Sequence, residues 1–197
     1  MLKELYNTLI QLNSVESTNT FLKEIAKEDC ESGTVIIANS QTAGRGRYEK
    51  SFLSPEGGLY LSYLYKIDKL TDELSEITKW SCVSVYRAID KICGIKCQLK
   101  YVNDLLYNGK KLCGILTELS ENNLIIGIGI NVNTDLSLIN GNLNESATSL
   151  KEVTGKDTDL NELAIAIIDE LNKQFEEWPT IRDRIDFYNQ NVLIVHI

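Results

Sequence analysis

Asp104-Leu-Leu-Tyr-Asn-Gly-Lys-Lys-Leu-Cys-Gly-Ile-Leu-Thr-Glu-Leu119 sets Asn108-Gly109 between two apolar runs. Asn-Gly supplies two successive residues that tolerate positive φ, which a tight two-residue hairpin requires. A polar turn, Ser120-Glu-Asn-Asn123, then leads into Leu124-Ile-Ile-Gly-Ile-Gly-Ile-Asn-Val132. The reading is a three-stranded antiparallel meander. Alternation along the second strand places Lys111 and Cys113 on one face and Lys110 and Leu112 on the other. Gly114, Gly127 and Gly129 fall inside these strands, where glycine weakens packing unless a bulge or a ligand needs the room.

Upstream, the apolar run Thr34-Val-Ile-Ile-Ala-Asn39 opens into Gln41-Thr-Ala-Gly-Arg-Gly-Arg-Tyr48. Glycine allows a close backbone approach, and arginine offers a planar fork of donors that matches carboxylate or phosphate oxygens. A strand opening into such a loop reads either as an anion cradle or as a solvated surface loop. Glu49 stands where the third glycine of a dinucleotide fingerprint would fall, and no Gly-Lys-Ser/Thr of a P-loop follows. After the loop come Phe52-Leu-Ser-Pro55, a Gly-Gly turn and a tyrosine-rich strand, Leu59 to Tyr65.

Helical signals flank these strands. Ser17, Thr18 or Asn19 can cap a helix whose stripe is Phe21, Leu22, Ile25 and Ala26, running to about Asp29. Thr71 to Cys93 reads as a long helix with Leu74, Ile77, Val85 and Ile89 inward, closed by Gly94 in a left-handed cap. Trp80 reads as a packing residue. Asn144 to Val153 reads as a short helix with Gly155 after its end. Asp159-Leu-Asn-Glu162 resembles a capping box for the most regular helix, whose apolar face runs from Leu160 to Trp178 until Pro179 stops it. A further short helix over Ile181 to Asn189 and a strand over Val192–Ile197 complete the chain.

The 197 residues are enough for one large core, and 43% apolar with 24% charged residues is ordinary for a soluble globular protein. No stretch reaches the roughly 18 apolar residues of a membrane span. A net charge of −8 argues against broad nucleic-acid binding, which relies on basic surface, but Arg45, Arg47 and Lys50 form a local basic cluster. Five cysteines, an odd number, argue against a disulfide framework. Cys93-x-x-x-Cys97 could be a zinc pair, but two small buried residues are the favoured reading. The N-terminus has no signal-peptide core, so the expected location is cytoplasmic.

Six motifs occur in order: Gln41-x-Ala-Gly-Arg-Gly-Arg47, Ser54-Pro55, Gly58-Leu-Tyr-Leu-Ser62, Lys100-x-x-Asn-Asp104, Lys111-Leu-x-Gly-Ile-Leu-x-Glu118 and Gly127-Ile-Gly-Ile-Asn131. Together they closely resemble the catalytic domain of biotin–protein ligases, over about residues 14–190. The resemblance implies an α/β domain of the α+β type, with a mixed, mostly antiparallel sheet and helices packed on it, as in class II aminoacyl-tRNA synthetases and biotin–lipoate ligases. It implies a catalytic domain over 1–190, with 191–197 the start of a truncated or absent C-terminal domain and no DNA-binding domain before it. Tyr101-Val102 stands where the family usually has Trp-Pro.

The implied activity has two steps. Biotin and ATP give biotinyl-5′-adenylate and pyrophosphate; a lysine of a biotin carboxyl carrier protein then takes the biotin. Lys111, Arg45 and Arg47 are the implied catalytic set. Ser17, Thr18, Asn19, Gln41, Gly44, Arg45, Phe52, Lys111 and Gly114 would bind biotin. Arg47, Asn103, Asp104, Asn131, Thr148 and Ser149 would bind the nucleotide, with Ala147-Thr-Ser149 bordering the adenine. Mg²⁺ is expected to arrive on the ATP phosphates, with no metal ligand assigned to the protein. The expected partner is the carrier protein, with a homodimer left open, and without nucleic acid or membrane. A lipoate–protein ligase, or a module that holds biotin or its adenylate without transferring it, is the alternative.

Overall fold

The meander expected around Asn108-Gly109 is the centre of an eight-stranded mixed sheet. The computed structural model describes residues 6–28, 30–67, 76–138, 146–176 and 182–193. The strands are β1 (Thr8–Val15), β2 (Thr34–Gln41), β3 (Leu59–Lys66), β4 (Gln98–Lys100), β5 (Asp104–Tyr107), β6 (Lys110–Ser120), β7 (Asn123–Ile130) and β8 (Val192–Leu193). Their order is β1-β2-β3-β7-β6-β5-β4-β8. The β1–β2 and β4–β8 pairs are parallel and the other five antiparallel. Asn108 and Gly109 have φ of 48° and 78°, the geometry their sequence anticipates. The boundary expected at residue 190 falls just before β8, which joins the edge of this same sheet.

The two faces of the sheet differ because the side-chain period of a strand is two. Leu59, Leu61 and Tyr63 of β3, Ile126, Ile128 and Ile130 of β7, and Cys113 and Ile115 of β6 belong to the main core. The helices α2 (Ile77–Cys93) and α4 (Leu160–Glu176) complete that core. Trp80 is fully buried in it, as a packing residue should be. Burying a side chain of such size contributes a few kcal/mol, on the order of 25 cal/mol per Å² of apolar surface. Gly94 caps α2 at φ 67°, and Asp159 Oδ1 accepts from the N–H groups of Asn161 and Glu162 to start α4. Leu74 and Trp178, expected to extend these two apolar faces, lie outside the described residues, as do 194–197 of the expected last strand.

The opposite face carries a smaller core of Leu22, Ala26, Ile36, Leu64 and Ile125, covered by α1 (Thr18–Ile25). That helix packs against β2, β3 and β7. Between α1 and β4, the sheet face carries glycine where side chains would otherwise stand, and a cleft lies there.

Two expectations need correction. Lys111 and Cys113 do not share a face. Leu105 pairs with Cys113 and Leu106 with Lys111, so Leu112 is an extra residue on β6, a β-bulge. The bulge resets the alternation: Cys113 enters the main core, while the Lys111 ammonium reaches the cleft side. The helix expected over Asn144–Val153 is shorter in its described part. It is α3 (Leu150–Thr154), capped by Ser149, and closed by Gly155 at φ 74°. Ala147 instead forms a parallel bridge to Lys111. A short helix, α5 (Arg182–Asn191), leads into β8.

Candidate active site

Three glycines make the floor of the cleft. Gly114 and Gly129 face each other across β6 and β7, and Gly127 pairs with Leu116. A Cβ at Gly129 would lie 2.6 Å from the Phe52 ring, and one at Gly114 would lie 3.1 Å from the same ring and 3.2 Å from Lys111 Nζ. A Cβ at Gly127 would collide with the Asn19 amide. Phe52 thus lies on a paired-glycine surface as an aromatic wall. The Lys111 ammonium sits 5.6 Å from its ring centroid. The cleft measures about 370 Å³.

One end of the cleft is polar. Ser17 is the N-cap of α1, its hydroxyl accepting from the Thr20 N–H, which settles which of three candidates caps. Gln41 Oε1 accepts from the Thr18 N–H at 2.8 Å and from the Thr18 hydroxyl at 3.1 Å. Its Nε2 donates to Ser54 Oγ at 2.8 Å. The backbone N–H of Thr18 can only donate, so it fixes which way the Gln41 amide points. Ser62 Oγ lies 2.8 Å from Thr18 Oγ1 and 2.6 Å from Asn19 Oδ1. Gly44 does not line the cleft. It closes the root of the loop, where a Cβ would meet Ser54 Oγ at 2.6 Å.

The other end is charged. Lys111 Nζ lies 2.8 Å from Asp104 Oδ1, in an ion pair that lacks hydrogen-bond angles. Asn103 also lines this end, its amide donating to the Ile115 carbonyl at 2.8 Å. Arg47 is stacked over Tyr48, 4.9 Å from the ring centroid, and donates to the Tyr48 hydroxyl at 3.0 Å. Tyr48 is 81% exposed and has φ 54°, so the loop tip stands out from the body. Arg45 is held differently: its Nη2 donates to both oxygens of Glu118, at 3.1 and 2.9 Å. Burial alone would raise the Glu118 pKa. The hydrogen bonds from Lys23 and Asn19 and the Arg45 charge outweigh it and hold the carboxyl below its ordinary value.

Asn131, Thr148 and Ser149 do not line the cleft. Asn131 Nδ2 donates to the Thr148 carbonyl at 3.0 Å, the Thr148 N–H to the Lys111 carbonyl at 2.9 Å, and Ser149 caps α3. They brace the strand that carries Lys111. Sequence reasoning assigned no role to Ser62 or Glu118, although both lie in quoted motifs. The signal was there: Ser62 interrupts an apolar strand, and Glu118 continues the Gly114–Leu116 side of β6. Among the described residues no group of three or more His, Cys, Asp or Glu could hold a metal ion, and no helix is long and apolar enough to cross a membrane.

The family model of the biotin/lipoate A/B protein ligase family matches residues 12–135. Bifunctional ligase/repressor BirA of Bacillus spizizenii is 36% identical over 157 residues, 77% of this chain and 48% of that one. The chain therefore spans about half the length of the curated relatives it matches. Among solved structures, biotin protein ligase from Aquifex aeolicus in complex with biotin and ATP superposes with a TM-score of 0.80 at 37% identity, covering 89% of this chain and 73% of that one. Biotin protein ligase from Leishmania major in complex with biotinyl-5-AMP gives 0.81 at 25% identity, covering 96% and 84%.

Proposed function

The chain belongs to the biotin/lipoate A/B protein ligase family, and from that premise we propose that it is a biotin–protein ligase. It joins biotin to ATP as biotinyl-5′-adenylate, releasing pyrophosphate, and passes the biotinyl group to a lysine of a biotin carboxyl carrier protein, releasing AMP. The carrying observation is the polarity of one cleft: a hydrogen-bonding end at Ser17, Thr18 and Gln41, an apolar middle of Phe52 over glycines, and a cationic end at Lys111 and Arg47. Biotin has the same order of parts, a ureido head, an apolar ring and tail, and a carboxylate.

The chemistry assigns the cationic end its work. The biotin carboxylate oxygen attacks the α-phosphorus, and the bond to the bridging oxygen of pyrophosphate breaks. Both reactants are anions, so a fixed cation at the developing charge lowers the barrier. Lys111, oriented by Asp104 and by the braced strand behind it, is suited to that place. Arg47, which pairs with no carboxylate among the described residues, is suited to the phosphates as the loop closes. Asn103 and Asp104 lie on the nucleotide side; Asn131, Thr148 and Ser149 act there through the backbone they brace. Mg²⁺ would travel with the ATP phosphates. In the second step the carrier lysine attacks the mixed anhydride and AMP leaves. The same reading carries a cytoplasmic location and a homodimer, checked by fractionation and sedimentation.

Incubation with biotin, Mg-ATP and a biotin carboxyl carrier domain tests the reading by intact mass. One biotinyl adduct on the carrier is expected, with pyrophosphate released. A lipoyl adduct in a parallel lipoate reaction would select the lipoate alternative. Biotin binding without pyrophosphate release would select the non-transferring module.

A further inference from the structure

One carboxylate joins the polar end of the cleft to the root of the arginine loop. Glu118, on β6, is 17% exposed at its side chain. Its Oε1 accepts from Lys23 Nζ at 2.5 Å and its Oε2 from Asn19 Nδ2 at 2.8 Å. Arg45 Nη2 donates to both oxygens. Asn19 presents the other side of its amide to Ser62, which also touches Thr18. The contacts run without a gap from Thr18, at the head end, to Arg45, the first arginine of the loop.

We propose that Glu118 is a positioning residue that couples occupancy of the cleft's polar end to closure of the loop at 44–51; the proposal rests on the biotin reading given above. Two cations and one carboxylate leave a single net positive charge. Lys23 and Arg45 would repel each other without Glu118, and the loop root would lose its hold on β6. With Arg45 held, only the tip around Arg47 and Tyr48 remains to be ordered when ligand binds, which lowers the entropy cost of closure. A ring seated against Thr18 fixes Asn19, and Asn19 fixes the carboxylate that receives Arg45. Arg47, two residues on, is thereby presented to the nucleotide.

Coupling has a signature that mere structural support lacks. The test measures calorimetric affinity for biotin, and for α,β-methylene-ATP with and without biotin, in the wild type, Glu118→Ala and Glu118→Gln. Hydrogen exchange of residues 44–51 is followed in parallel. In the wild type, biotin should protect the loop and tighten binding of the ATP analogue. In Glu118→Ala, biotin affinity should fall by less than about tenfold, on the scale of one lost surface-near contact set. The biotin-dependent loop protection should vanish, and the ratio of analogue affinities with and without biotin should fall toward one. Glu118→Gln keeps a polar group in place and should give an intermediate ratio; it carries the test alone if the alanine variant does not fold. Equal weakening of both ligands with an unchanged ratio would show a purely structural role and overturn the proposal. A wild type that binds no biotin overturns the biotin reading and this inference together, whereas binding with unaltered loop protection in both variants overturns the inference only.

Discussion

Lys110 and Lys111 are neighbours with different surroundings, and that difference predicts different losses. Lys111 reaches the cleft and pairs with Asp104, while Lys110 stands beside the hairpin turn, 3.8 Å from Glu152. A half-exposed pair of the second kind contributes little. Lys111→Ala should lower pyrophosphate release by roughly two orders of magnitude or more, the scale of losing one preorganised donor. Biotin binding should weaken less, because the proposed reading places the head contacts at Ser17, Thr18 and Gln41. Lys110→Ala should leave both near the wild-type level; equal losses in the two variants would remove Lys111 from the chemical step. Gly127→Ala is a second residue-scale prediction. The added methyl falls on the Asn19 amide, held on three sides by Ser62, Leu116 and Glu118. Overpacking there should cost about 1–3 kcal/mol in urea unfolding and weaken biotin binding as well. Unchanged stability and binding would mean that Asn19 moves aside freely.

The loop at 44–51 is an element with a fixed root and a free tip. Gly44 and Phe52 are joined by a backbone hydrogen bond of 2.8 Å, Gly46 and Lys50 by one of 2.6 Å, and Arg45 is tied to Glu118. Among the described residues, the Arg47 side chain bonds only its neighbour Tyr48. Arg47→Gly should therefore leave the fold intact and release the adenylate early. Lysines other than the carrier's should then be labelled while pyrophosphate release continues, as peptide mapping of a mixed-protein reaction would read. Labelling confined to the carrier lysine would assign Arg47 another role. α3 offers a milder test. Ser149 Oγ accepts from the Glu152 N–H at 3.2 Å, so Ser149→Ala should destabilise the protein by about 1 kcal/mol. Because this helix start also holds the segment that bonds the Lys111 carbonyl, the rate of adenylation should fall modestly with it.

Across the whole molecule, Glu118 links stability to pH. Its pKa is lower in the folded state than its ordinary value. The stability it contributes is therefore fully present above the ordinary glutamate range and is lost as pH falls through the folded value. The difference in stability between the wild type and Glu118→Gln should be greatest near neutral pH and shrink below about pH 4.5, near the usual glutamate pKa. Urea unfolding at several pH values measures it, and a difference that grew on acidification would contradict the linkage. Burial pushes the thiol pKa of Cys113 well up and that of Cys97 to about 12. These thiols should thus react slowly with alkylating agents in the native protein and readily after unfolding.

What the amino-acid sequence determined by itself is local: the Asn108-Gly109 hairpin, the Gly94 and Gly155 caps, the Asp159 start of α4, and strand glycines that mark a face needing room. Each depends on backbone preferences within a few residues, so a few residues suffice to read it. The ordered motifs added the family, and with it several residues that line the cleft, among them Gln41, Phe52, Asn103, Asp104 and Lys111. Tertiary structure decided what neighbours in space contribute. The bulge at Leu112 reversed the expected face of Cys113 relative to Lys111, because pairing to β5 rather than alternation along β6 sets the register there. Arg45, expected in the catalytic and biotin-binding sets, is bound to a carboxylate 73 residues away. Asn131, Thr148 and Ser149 became braces because their donors and acceptors met across strands. Such outcomes depend on which polar groups the folded chain brings within about 3 Å of one another, and no local pattern in the sequence encodes that distance.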